Sequence, residues 1–115
     1  MKVYYRPHSK LTIELEPGDQ KELVDMLAQV QEIIVHECGK CGTGGEGLQY
    51  QVRTVDDNKF YELRCTKCGA VLSFGSHKKG NSLFPKRYAE NEDGEREWLP
   101  SNGWTKWDKE QQKRV

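Results

Sequence analysis

Cys38-Gly39-Lys40-Cys41-Gly42 and Cys65-Thr66-Lys67-Cys68-Gly69 decide how the rest of this chain is read. Each is a Cys-x-x-Cys followed by glycine, and 23 residues lie between the two pairs. A Cys-x-x-Cys turn aims two thiolates at one centre. A glycine just past it takes positive φ without steric cost, so backbone N–H groups can turn toward the sulfurs. Two such turns supply four ligands at about 2.3 Å in a tetrahedron. The spacer has room for two antiparallel strands and a turn. The expectation is a zinc ribbon over residues 38–75, with one Zn²⁺ on Cys38, Cys41, Cys65 and Cys68. Rubredoxin-like iron uses the same ligands and stays open as an alternative. Static disulfides are disfavoured in a cytosolic chain. Thioredoxin-type redox motifs use a single pair beside a βαβ pattern, which is absent here. With all four ligands from protein, no open position remains to activate water, so the ion is read as structural. Lys40, Arg64 and Lys67 lie beside it in sequence and either offset part of the thiolate charge or are ordinary surface basic residues.

Inside the spacer, Leu48, Tyr50, Val52 and Thr54 alternate with Gln49, Gln51 and Arg53, the pattern of a half-buried strand. Asp56-Asp57-Asn58 is a turn, because these residues tolerate left-handed backbone. Phe60 to Arg64 is the returning strand, and Ala70 to Phe74 is expected to be a third. Upstream, residues 1–37 read as strand, strand, helix. Val3-Tyr4-Tyr5 is β-prone, His8-Ser9-Lys10 is a turn, and Leu11, Ile13 and Leu15 share one face of a second strand. Pro17-Gly18 ends it. Asp19 caps a helix, with Glu22 three residues on as an Asp-x-x-Glu variant of the capping box. Leu23, Met26, Leu27, Val30 and Ile34 form its apolar stripe, expected to pack on the strands. A unit this small covers one sheet face, so the other is expected to meet the ribbon or a second copy, making a homodimer. The fold class is therefore α+β: a small ββα unit (1–37), a four-cysteine zinc ribbon (38–75) and a C-terminal extension packed on it (76–115).

The totals restrict function. Of 115 residues, 35% are hydrophobic and 31% charged, so the core is modest and a metal staple compensates. No run approaches the roughly 18–20 apolar residues of a membrane span, and the N-terminus lacks a secretory signal's apolar run, so a cytoplasmic protein is expected. Net charge is zero. The charge is unevenly spread, however. Residues 76–87 carry four basic and no acidic side chains, whereas 1–37 net −3, 38–75 net +1 and 88–115 net −2. His8, His36 and His77 sit in no catalytic motif, and His36 falls outside a tetrahedron that four cysteines already fill. There is no phosphate-binding glycine loop and no nucleophile elbow. The chain reads as a non-enzyme.

The remaining candidate is the basic segment with its neighbouring aromatics. His77, Lys78, Lys79, Lys86 and Arg87 suit phosphates, and Phe84 and Trp104 offer stacking faces. Basic groups interleaved with aromatics are the ingredients of a single-strand nucleic-acid surface. The competing reading folds Trp98 and Trp104 back over the small core and leaves the basic segment as a solvated loop. Ala89 to Glu97 reads as a mobile acidic tract, and Lys106 to Val115 as a tail that frays.

Tyr61-Glu62-Leu63-Arg64-Cys65-x2-Cys68-Gly69-Ala70, Phe74-Gly75, His77-Lys78-x-Gly80, Leu83-Phe84-Pro85-Lys86-Arg87, Gly103-Trp104 and Trp107-Asp108 together resemble small zinc-ribbon proteins of tailed bacteriophages, from gene neighbourhoods of replication and recombination. The resemblance covers about the C-terminal half. It implies a phage protein acting in a bacterial cytoplasm and carries over no mechanism. Two functions follow as expectations: a non-catalytic binder of nucleic acid, single-stranded DNA favoured, or a protein–protein adaptor or inhibitor. Neutral net charge and the acidic first third favour the adaptor; the basic segment with aromatics favours nucleic acid.

Overall fold

The computed structural model describes residues 1–77 and 80–115. The chain runs β1 (Val3–His8), β2 (Leu11–Leu15), α1 (Gln20–Ile33), β3 (Leu48–Val55), β4 (Asn58–Cys65), β5 (Val71–Ser76), β6 (Leu83–Pro85), β7 (Tyr88–Glu90), β8 (Arg96–Trp98), β9 (Trp107–Asp108) and β10 (Lys113–Arg114). It is a mixed α/β molecule, mostly strand, with one helix among the described residues.

The centre is a four-stranded antiparallel sheet in the order β3-β4-β5-β6. β3 and β4 pair along their full length, from Leu48↔Cys65 to Val55↔Asn58. Asp56 and Asp57 turn between them at φ 49° and 66°, a conformation that short polar side chains accept. β4 pairs with β5 only from Glu62↔Ser73 to Arg64↔Val71. Beyond that, β4 stays with β3 while β5 turns to β6, from Phe74↔Pro85 to Ser76↔Leu83. The two hairpins therefore splay apart. β5 starts at Val71 rather than Ala70 and runs on to Ser76. Ala70 is used elsewhere: its carbonyl accepts from Cys65 N and closes the turn before the strand.

Alternation along the strands divides the sheet. One face carries Tyr50, Leu63, Leu72 and Phe74; of these Leu63, Leu72 and Phe74 join Leu48, Cys38, Cys65, Ala70 and Trp104 in the core, while Tyr50 stays exposed at its margin. The other carries Gln49, Gln51, Arg53, Phe60, Glu62 and Arg64. On the core face Ile33, Val35 and Leu83 pack at the margin. Tyr50 stacks on Phe74 with ring centroids 6.1 Å apart. Its hydroxyl donates to Ile33 O at 2.7 Å, satisfying one of the carbonyls a helix end leaves without a partner. Burial raises the Tyr50 phenol above its ordinary value.

α1 begins as its residues dictate. Asp19 Oδ1 accepts from Glu22 N at 2.8 Å, while Glu22 reaches back one residue further than a capping box does, to Gly18 N. The apolar stripe is covered only in part. Leu23, Met26, Leu27, Val30 and Ile34 are half-buried, and no residue of α1 is fully buried. The core lies in the sheet instead, because β3 to β5 and the segment around Trp104 bring the large side chains together there. The hairpin β1–β2 shows the same one-sidedness, with Val3, Tyr5, Leu11, Ile13 and Leu15 half-buried between exposed neighbours.

The C-terminal third is more ordered than its composition suggests. The acidic tract forms the hairpin β7–β8, with Tyr88↔Trp98 as its outermost pair. Asn91 Oδ1 accepts from both Asp93 N and Glu95 N in the turn. Tyr88 meets Trp98 edge-on at 4.6 Å. The tail is tied as well: Lys106 and Val115 exchange backbone hydrogen bonds around the small hairpin β9–β10.

Candidate metal centre and adjoining cleft

The two cysteine turns repeat one another bond for bond. In the first, Cys38 N donates to Thr43 O and Gly42 N to Cys38 O; in the second, Cys65 N donates to Ala70 O and Gly69 N to Cys65 O. Gly42 and Gly69 hold φ of 77° and 79°, a region that glycine enters freely and other residues do not. The sequence spacing thus becomes two equivalent turns facing each other.

The four Sγ atoms all lie within 4.8 Å of one another. Cys38 Sγ is 3.7 Å from Cys68 Sγ, and Cys41 Sγ is 3.6 Å from Cys65 Sγ. A tetrahedron with metal–sulfur bonds of about 2.3 Å has edges of about 3.8 Å. These separations fit one metal ion, and all four cysteines are free thiols. Cys38 and Cys65 are buried and Cys41 is exposed. Burial pushes the Cys38 thiol up to about 12. Burial acts on Cys65 in the same direction, but the N–H groups of Cys68 and Lys67 and the thiols of Cys41 and Cys68 outweigh it and bring it down to about 6. Hydrogen bonding from Thr43 lowers Cys41. Four thiols this close share their protons, and a cation is what releases the last of them.

Trp104 packs against the first cysteine turn. It is 1% exposed, and a Cβ added to Gly39 would sit 2.5 Å from its Cδ1. Thr105 and Val71 bridge as a single antiparallel pair, which fixes the indole there. The stacking role expected of Trp104 is therefore not available in this conformation, since a ring so enclosed presents no face to a base. Trp98 and Trp107 stay about half exposed.

The other expected contacts divide into groups. His77 and Phe84 come together, with ring centroids 4.8 Å apart. Phe84 and the stem of Lys86 both lie over Gly75, where a Cβ would be 2.7 Å from Phe84 Cζ and 3.2 Å from Lys86 Cε. Arg87 does not lie over Gly75 with Phe84 and Lys86; its Nη1 donates to Asn102 O at 3.4 Å. Lys78 and Lys79 lie outside the described residues.

Sequence reading missed the other wall of this patch. Where β4 and β5 part, a cleft of about 620 Å³ opens, lined by Arg53, Lys59 and Phe60 on one side and Gly75, Phe84 and Lys86 on the other. Arg53 lies 4.9 Å from the centre of the Phe60 ring. It also donates from Nε and Nη2 to Glu62, both at 3.3 Å, and Gln51 Nε2 donates to the same carboxylate at 3.1 Å. That accounts for a carboxylate at 7% exposure. The signal was present: Phe60 falls on the polar side of β4's alternation, where an aromatic is 43% exposed. What no periodicity could supply was the divergence of the two hairpins.

Compared with family profiles, curated proteins and solved structures, the chain matches none of them.

Proposed function

We propose that this chain is a zinc-ribbon protein, its Zn²⁺ structural, that binds single-stranded nucleic acid without catalysing a reaction on it. Four thiolates and a closed tetrahedron favour zinc. Single-stranded DNA is the favoured ligand, in the phage DNA metabolism of a bacterial cytoplasm that the resemblance implies.

The observation carrying the reading is the cleft between the splayed hairpins. Phe60 and Phe84 offer rings at its walls, and Lys59 and Lys86 bring cations to them, beside an Arg53 that is already paired with Glu62 on the cleft wall. Bases stack on aromatics regardless of sequence while the phosphates follow the cations, the usual arrangement for single strands. A duplex, whose bases are already stacked, gains nothing from the rings.

The test is fluorescence anisotropy with labelled single-stranded and duplex oligonucleotides at two salt concentrations. The expected result is salt-sensitive, single-strand-preferring binding. Lys59→Ala with Lys86→Ala should flatten the log-affinity versus log-salt slope by about 0.7 per lost contact. No binding at low salt would sink the proposal.

One observation favours the adaptor as a second reading. β3 is an edge strand of eight residues, and Tyr50, Val52 and Val55 on it are at least 40% exposed. Such an edge accepts an added strand from a protein partner or a second copy.

A further inference from the structure

A second cavity, of about 500 Å³, lies beyond Phe84, which lines both it and the cleft. Its other walls come from elements distant in sequence: Glu32 near the end of α1, His77 after β5, and Arg87, Tyr88 and Arg96 around the hairpin β7–β8. Its volume falls within the range of small-ligand sites, roughly 300–1,000 Å³.

Its charges are mixed. The end formed by α1 is an acceptor end. The helix finishes there with no basic residue in its last turn, and Glu32 adds a carboxylate. Glu32 Oε1 lies 3.5 Å from His77 Nε2, which orients it. Arg87 and Arg96 supply donors. Tyr88 is a half-exposed ring held edge-on by Trp98, with the Arg96 guanidinium 5.8 Å from its centre. Aromatic walls, a carboxylate and guanidinium groups together suit neither a bare phosphate, which Glu32 and Glu90 would repel, nor an apolar ligand, which would strand the charges.

We infer that this cavity takes one unstacked base of a bound single strand and prefers guanine. Among the four bases, guanine alone presents two adjacent donors, N1–H and the exocyclic amine, matching the two oxygens of one carboxylate, which only accepts. Its O6 and N7 are the acceptors that an arginine reads best. Adenine and cytosine each place an acceptor beside their amino group, which a carboxylate repels. Base-specific reading of single strands generally works this way, with a splayed base stacked on an aromatic ring and bonded along its edge. The inference rests on the single-strand reading above, and it adds a site and a base preference to it.

The experiment uses the zinc-loaded full chain and oligo-dT strands carrying one central substitution: dG, dA, dC, hypoxanthine or an abasic site. The dG strand should bind about 5- to 100-fold more tightly than the dT parent, the range for one bidentate contact. Hypoxanthine, which lacks the exocyclic amine, should lose most of that gain. Glu32→Gln changes an exposed helix position, so folding should hold; it should abolish the dG preference, read as the ratio of dG-strand to oligo-dT affinity in the same variant. Equal binding of all strands, or a dG preference that Glu32→Gln leaves intact, would overturn this inference alone. Absence of binding to every strand would overturn the single-strand reading with it.

Discussion

Replacing Trp104 by alanine separates packing from recognition. The indole is 1% exposed and lies against the first cysteine turn, where Gly39 has no side chain and leaves it room. It belongs to the same cluster as Cys38, Cys65, Leu63 and Leu72. Truncating a buried tryptophan to alanine costs about 3–5 kcal/mol, combining lost transfer energy with the cavity left behind. A domain of this size has about 5–15 kcal/mol in total, so the change consumes a large share of it. Each kcal/mol lowers the thermal midpoint of domains in this size range by about 2–8 °C, so a drop of about 6 °C or more is expected. The assay is thermal and urea unfolding of the zinc-loaded protein, with oligonucleotide binding measured where the variant is fully folded. Affinity there should equal the parent's. A ring that stacks on a base would instead cost about 1–3 kcal/mol of affinity with the midpoint unmoved. That outcome would refute the placement of Trp104 in the core. Gly39→Ala approaches the same contact from the other side and should be destabilising in the same assay.

Metal analysis should find one zinc per chain, and Cys65→Ser or a strong chelator should unfold the sheet's cysteine end, because binding energy at such a site is largely folding energy; four disulfide-bonded cysteines and no metal would reverse the assignment. Zinc affinity should weaken as pH falls, since binding requires thiolates and the Cys38 proton, held by burial up to about 12, must leave; proton release on titration, read by calorimetry in two buffers, checks the sign. Arg53→Met should destabilise by about 1–3 kcal/mol in urea, because Glu62 stays buried and loses two of its three donors. Gly103→Ala should be severely destabilising, since that residue sits at φ 89° and a Cβ there collides with the Lys86 carbonyl. Asp19→Ala should cost about 0.5–2 kcal/mol and raise hydrogen exchange in α1 selectively.

The cysteine spacing was sufficient by itself to give each pair of thiols its turn, because a Cys-x-x-Cys-Gly turn is a local device whose geometry is set within a few residues; the β3–β4 ladder, from Leu48↔Cys65, then brings the two turns together. The same is true of the Asp19 cap and the Asp56-Asp57 turn: each depends on neighbours in sequence, and each appears where its residues predict. β3 forms where its alternation predicts, but of its expected inward residues only Leu48 is buried. What the chain did not disclose depends on partners far away in it. Asn91 to Glu95 looks like a solvated acidic run until Tyr88 meets Trp98 across it and the turn closes on Asn91. The stripe on α1 has helical period, but period alone does not say how deeply a face is covered, and the larger rings went to the sheet. Whether Trp104 stacks on a ligand or on the core is equally invisible, because either use requires only an aromatic near a turn. The bridge between Thr105 and Val71 decides it. The cleft is the clearest case. Arg53 and Phe60 belong to one hairpin and Phe84 and Lys86 to the other, and they face a common space only because the β4–β5 ladder stops at Glu62↔Ser73. Where a ladder ends is settled by competition between pairings, and that is a property of the assembled sheet.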